Sequence, residues 1–180
     1  MLDFERLAQL AKECGFTNCG PLDVNTLDFM QDVRDMCNPK QCQRFDHSWA
    51  CPPACGTLDE MRARASAFKT GGILVQTVGE LEDSYDWDGI QAAAKRQSAS
   101  YEKLWDLLEK EYSNIFAMGV GGCTKCEKCT YPDEPCRFPK RMSSSMEACG
   151  LFVSKVCTDN NLAYNYGPNK IAYTGCFLLE

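Results

Sequence analysis

An α/β fold, with α+β as its alternative, is predicted by three features of this 180-residue sequence. Amphipathic helical stretches alternate with short apolar runs. Ile73-Leu74-Val75 with Val78 is apolar enough for a strand covered on both faces. Gly167-Pro168-Asn169-Lys170 separates two β-prone stretches and signals a hairpin. Together they predict a mixed β-sheet of about five strands packed by helices, with two cysteine-rich loops hanging from its ends. The expected organisation is one domain over 1–180, able to bury roughly 70% of the surface its unfolded chain exposes.

Taken in order, residues 2–14 predict an amphipathic helix with Leu2, Leu7, Leu10, Ala11 and Cys14 on one stripe and Gly15 as its cap. Thr17 to Leu22 reads as a short strand. Asn25 is a good N-cap for a second helix carrying Leu27, Met30 and Val33, which gives out near Met36. Thr57-Leu58-Asp59-Glu60 is a capping box for a helix to about Lys69, stopped by Gly71-Gly72. The acidic segment Glu80 to Asp88 reads as a solvated loop without calcium-loop spacing. A long helix fills 90–112, with Ile90, Ala94, Tyr101, Leu104, Trp105 and Leu108 facing the core. Asn114 to Gly119 follows as a strand. Ser144-Ser145-Met146-Glu147 is a second capping box, for a helix with Met146, Cys149, Val153, Val156 and Cys157 on one side. Ala163–Tyr166 and Ile171–Tyr173 flank the hairpin turn.

Composition removes several function classes. No stretch approaches the ~20 apolar residues of a membrane span, and the N-terminus lacks a signal-peptide apolar core, which predicts a cytoplasmic protein. A net charge of −6 argues against nucleic acid as a partner. The single histidine, His47, gives mechanisms built on several histidines no support and reads as a loop hydrogen-bonder. Gly119 with Gly121-Gly122 lacks both the P-loop Lys-Ser/Thr and a full dinucleotide fingerprint.

Thirteen cysteines, an odd count in a chain without a secretory signal, point to metal sites rather than a disulfide scaffold. The first set is Cys37-x4-Cys42-x8-Cys51-x3-Cys55, in a loop that Pro39 and Pro52-Pro53 keep from being helical. The second is Cys123-x2-Cys126-x2-Cys129 with Cys136, preceded by Gly121-Gly122. Three cysteines so spaced cannot share one helix face, but a loop curling around a compact body turns all three sulfurs inward, as in ferredoxin-type iron–sulfur loops. Glycines before such a loop let amide N–H groups approach an anionic cluster. Zinc is the alternative, although structural zinc usually takes two separated pairs. Cys14, Cys19, Cys149 and Cys157 read as small core hydrophobes. Cys176 is either core or a ligand. Arg137, Lys140 and Arg141 either offset a cluster's charge or lie as ordinary surface cations.

The chain resembles a family of predicted metal-binding proteins, a domain of unknown function. The matching residues are Val33-Arg34-Asp35-Met36-Cys37 with Cys42, Trp49-Ala50-Cys51-Pro52-Pro53, and Cys123-x2-Cys126-x2-Cys129. Pro135-Cys136-Arg137-Phe138-Pro139 and Ser145-Met146-Glu147-Ala148 complete the match. The resemblance implies a small cytoplasmic protein of anaerobic or facultative microbes that binds metal through cysteines. Cys37, Cys42 and Cys51 fit the family pattern better than Cys55, and Cys136 stands farther from Cys129 than in a ferredoxin, so it could serve either site.

Three functions follow. The first is two [4Fe-4S] clusters, on Cys37, Cys42, Cys51 and Cys55 and on Cys123, Cys126, Cys129 and Cys136, passing electrons to or from a redox partner protein. The second is a zinc-stabilised interaction module. The third is an enzyme using a cluster with an open coordination position, or a reactive thiol such as Cys176. The oligomeric state is left open.

Overall fold

The computed structural model describes residues 2–180 and resolves the predicted alternation into one mixed sheet. Its strands are β1 (Asn18–Leu22), β2 (Gly72–Glu80), β3 (Ile115–Gly119), β4 (Ser144–Ser145) and β5 (Lys170–Leu179). They lie in the order β1-β2-β5-β3-β4. All pairings are antiparallel except β3 with β4. The fold is therefore α+β. β5 is the middle strand, matched to β2 from Gly72↔Leu178 to Glu80↔Lys170.

Alternation along the strands feeds two cores. Ile73, Val75, Ala117, Phe177 and Leu179 face one way, onto α1 (Phe4–Cys14) and α4 (Trp87–Leu108). Leu74, Phe116, Met118, Cys176 and Leu178 face the other way, onto α3 (Leu58–Ser66) and α5 (Val153–Asp159). α1 begins where Asp3 accepts from the Arg6 N–H (3.0 Å) and stops at Gly15, whose φ of 100° suits a residue without Cβ. α3 opens on the predicted capping box, with both Thr57–Glu60 bonds formed. Asp86, at the end of the acidic loop, caps α4.

Three expectations are corrected. The second helix does not start after Asn25. Asp23 accepts from the Asn25 N–H, a single 3₁₀ turn forms over Val24–Thr26, and α2 spans only Gln31–Asp35. Asn160 holds the turn, accepting from the Asp23 N–H and donating to Thr26 Oγ1, both at 2.8 Å. The capping box at Ser144 does not open a long helix either. Ser145 Oγ accepts from the Ala148 N–H, but the chain makes one turn before Gly150 takes a φ of 83° and ends it. Ser144–Ser145 is claimed instead by β3, and α5 starts afresh at Val153. Finally, Ala163–Tyr166 forms no strand. Its Tyr166 hydroxyl donates to Gln76 Oε1 (2.6 Å) and accepts from Asn18 Nδ2 (2.8 Å), while β5 pairs with β2 and β3.

Cys14, Cys149 and Cys157 are core residues as read from the sequence, and Cys176 joins them in the middle of the sheet. Burial pushes the Cys149 thiol up to about 12 and raises that of Cys176. The folded state thus keeps protons that the unfolded chain gives up at the ordinary thiol pKa. The stability they contribute is present below that value and lost as pH climbs towards 12, by ~1.4 kcal/mol per pH unit for each thiol. Denaturant midpoints should fall steeply above about pH 9 and flatten in Cys149→Ala; a midpoint independent of alkaline pH would refute this.

Candidate metal centre

The first cysteine loop joins α2 to α3 and contains no regular element. Its backbone is folded by its own short bonds, from the Cys42 N–H to Asn38 O (2.9 Å), Asp46 N–H to Pro52 O (2.8 Å) and Cys55 N–H to Cys51 O (3.0 Å). Arg34, on α2, clamps the loop's exit by donating to Gly56 O and, at 2.5 Å, to Ala148 O. Cys51 and Cys55 are buried, and Cys37 and Cys42 half-buried. Burial, with added repulsion from Cys42 and Cys55, pushes Cys51 up to about 11 against the pull of Arg44. Burial and then Cys42 likewise raise Cys37, with Arg34 opposing. Cys37 and Cys51 are thus each influenced by Cys42 and Cys55. A metal bound at Cys51 would have to displace a firmly held proton.

The second loop leaves β3 at Gly119 and returns into β4 at Ser144, so two adjacent parallel strands anchor its ends. Cys123, Cys126, Cys129 and Cys136 all line one cavity, together with Ser48, Trp49 and Ala50 of the first loop. No carboxylate or imidazole enters the lining. Burial opposes ionisation of Cys129, yet its pKa lies below the ordinary thiol value. Backbone N–H groups of Tyr131, Trp49 and Thr130 and the Ser48 hydroxyl all favour the thiolate. A cysteine whose thiolate form is favoured in this way is suited to a metal.

The two loops interlock. Trp49 donates to Glu134 O (3.0 Å) and meets the Tyr131 ring edge-on at 5.0 Å, and the Tyr131 hydroxyl bonds Asp46. The Arg44 side chain lies against Gly122, where an added Cβ would meet its Cδ at 2.6 Å. Residues 48–50 wall the second cavity and Cys51 comes next in the chain, so the two thiol sets share one partition. Among the described residues, no three His, Cys, Asp or Glu side chains are gathered as for a single metal ion.

Sequence reasoning singled out eight cysteines, of which Cys123, Cys126, Cys129 and Cys136 line one cavity, but not their setting. Arg34, Arg44 and Trp49 were visible beside the cysteines, yet spacing names no partner for them. Arg141 is another case. It leaves the surface to stack over the Trp105 ring at 4.6 Å, bonding Glu102, Asp106 and Glu109 at 2.8 Å each. His47 is exposed and bonds the Phe45 carbonyl, as read from the sequence.

No helix among the described residues is long and apolar enough to cross a membrane. Neither the curated proteins nor the solved structures hold a match to the chain. The profile of a family described as predicted metal-binding protein covers residues 20–179, taking in both cysteine loops and the sheet between them. The chain belongs to this predicted metal-binding protein family, DUF2284.

Proposed function

We propose that the chain binds two [4Fe-4S] clusters and exchanges single electrons with a redox partner protein. Cys37, Cys42, Cys51 and Cys55 would hold one cluster, and Cys123, Cys126, Cys129 and Cys136 the other. The observation that carries this reading is the gathering of Cys123, Cys126, Cys129 and Cys136 on one cavity with no carboxylate or imidazole in its lining. A cube held by four thiolates supplies one-electron transfer when bound. The chain's own residues supply the rest. Arg34 and Arg44 offset the negative charge of the first thiol set, and the N–H groups around Cys129 stabilise the thiolate. Residues 48–50 line the second set's cavity and adjoin Cys51 of the first set, which supports placing the two clusters near one another. The burial of Cys55 and its electrostatic influence on Cys37 and Cys51 support reading it as the fourth ligand of the first set.

Protein purified without oxygen should be brown and carry about eight irons and eight sulfides per chain. Colourless protein with stoichiometric zinc overturns the reading. Replacing Cys126 and Cys129 together by serine should leave about four irons, with the first cluster's spectrum intact. Full iron retention in that variant removes both residues from the ligand set.

A further inference from the structure

A second cavity, of about 40 Å³, lies on the other side of Cys123 and Lys125, which line both it and the cysteine cavity. Its floor is Gln97 on α4. This side chain is 2% exposed, and neither its amide nitrogen nor its amide oxygen has a hydrogen-bond partner. Buried amides are nearly always paired, and leaving both atoms unmet costs stability. Thr77 Oγ1 is also buried without a partner, but Thr77 does not line this cavity. The hydroxyl residues Ser98, Thr124 and Ser143 and the charged Glu102, Lys125 and Arg141 also line it.

We propose that this cavity binds a small, neutral, planar molecule with an amide-like edge, held by Gln97 next to Cys123. An amide side chain offers an N–H donor and a carbonyl acceptor side by side. Its complement is a ligand showing an acceptor and a donor side by side, which is a primary amide or its equivalent. Charge selects against an anion. Lys125 is paired with Glu102, and Arg141 with Glu102, Asp106 and Glu109, so neither cation is left uncompensated. Size selects for a few heavy atoms. At 10–15 Å³ per water, the cavity takes about three water-sized units, the bulk of formamide or acetamide. The site stands independently of the metal assignment, because no cysteine sulfur is needed to hold the ligand.

Ligand-observed saturation-transfer NMR on the full chain, purified without oxygen, tests this with acetamide as the probe and acetate as the charged control. Iron is quantified on the same sample, so loss of the metal reading and loss of this site are told apart. Acetamide should give a saturable signal, with acetate at least ~10-fold weaker. Gln97→Leu should abolish the signal while its Tm stays level or rises, because an unpaired buried amide has been removed. Gln97→Met serves as the second variant. Absence of a saturable acetamide signal, equal binding of acetate, or undiminished binding in Gln97→Leu overturns the proposal. So does a lowered Tm in both variants, which would mark the amide as a structural group bonded through internal water.

Discussion

Stripping the metal is expected to melt the two cysteine loops while leaving the sheet intact. Residues 37–56 and 121–138 hold no α-helix or strand, and their cysteines contribute nothing to either hydrophobic core. They are fixed by a few backbone bonds, by contacts between the loops, and by whatever the thiols grip. Structural metal sites can contribute more than 10 kcal/mol of folding free energy, well above what such contacts provide. Hydrogen exchange after chelation in reductant should therefore speed up by ~100-fold or more in both loops, with β2 and β5 little changed. The Tm should drop by more than ~10 °C, since a chain of this size loses ~2–4 °C for each kcal/mol. Loops whose exchange does not change on metal loss would show that the polypeptide shapes them unaided.

Trp105→Ala should be the most damaging single core substitution. The indole is 2% exposed and meets the Tyr101 and Phe177 rings edge-on, each at 5.9 Å between centroids. Its other role is to carry the Arg141 guanidinium, just ahead of the strand that closes the second cysteine loop. Removing it costs ~3–5 kcal/mol in lost burial and cavity formation, or roughly 6–20 °C in Tm. Exchange in residues 138–143 should accelerate as well, because their anchor has lost its platform. Arg141→Gln separates the two effects: it frees the loop's return leg while the indole stays packed, so its global cost stays below that of Trp105→Ala, with three ion pairs at ~0–1 kcal/mol each. A Trp105→Ala protein melting within ~2 °C of wild type would contradict the assigned role.

What could be read from the residues alone divides along the range of the forces involved. Signals closed within four residues held: Gly15 stops α1, Thr57 and Glu60 box the start of α3, and strict alternation in Ile73-Leu74-Val75 splits its side chains between two cores. Even the failed capping box was locally genuine, since Ser145 does accept from the Ala148 N–H. It misled because β3 took the serines as an edge strand and Gly150 cut the turn short, neither of which local propensity contains. The supposed hairpin failed in the same way, for β5 pairs with strands some fifty and a hundred residues before it. In the cysteine loops, spacing singled out two sets of four thiols, and the second set does line one cavity. Their companions Arg34, Arg44 and Trp49 act across loops far apart in sequence, where no spacing rule applies.

Placing β5 at the centre has a consequence for biosynthesis. β1 and β2 on one flank touch β3 and β4 on the other only through a ribbon translated after all of them. A nascent chain leaving the ribosome can form its helices early, but it cannot close the sheet until residue 179 has cleared the exit tunnel. Throughout that interval both sets of reduced sulfurs are displayed without the scaffold that spaces them. A metal held by these thiols would therefore meet their final spacing only after β5 has docked.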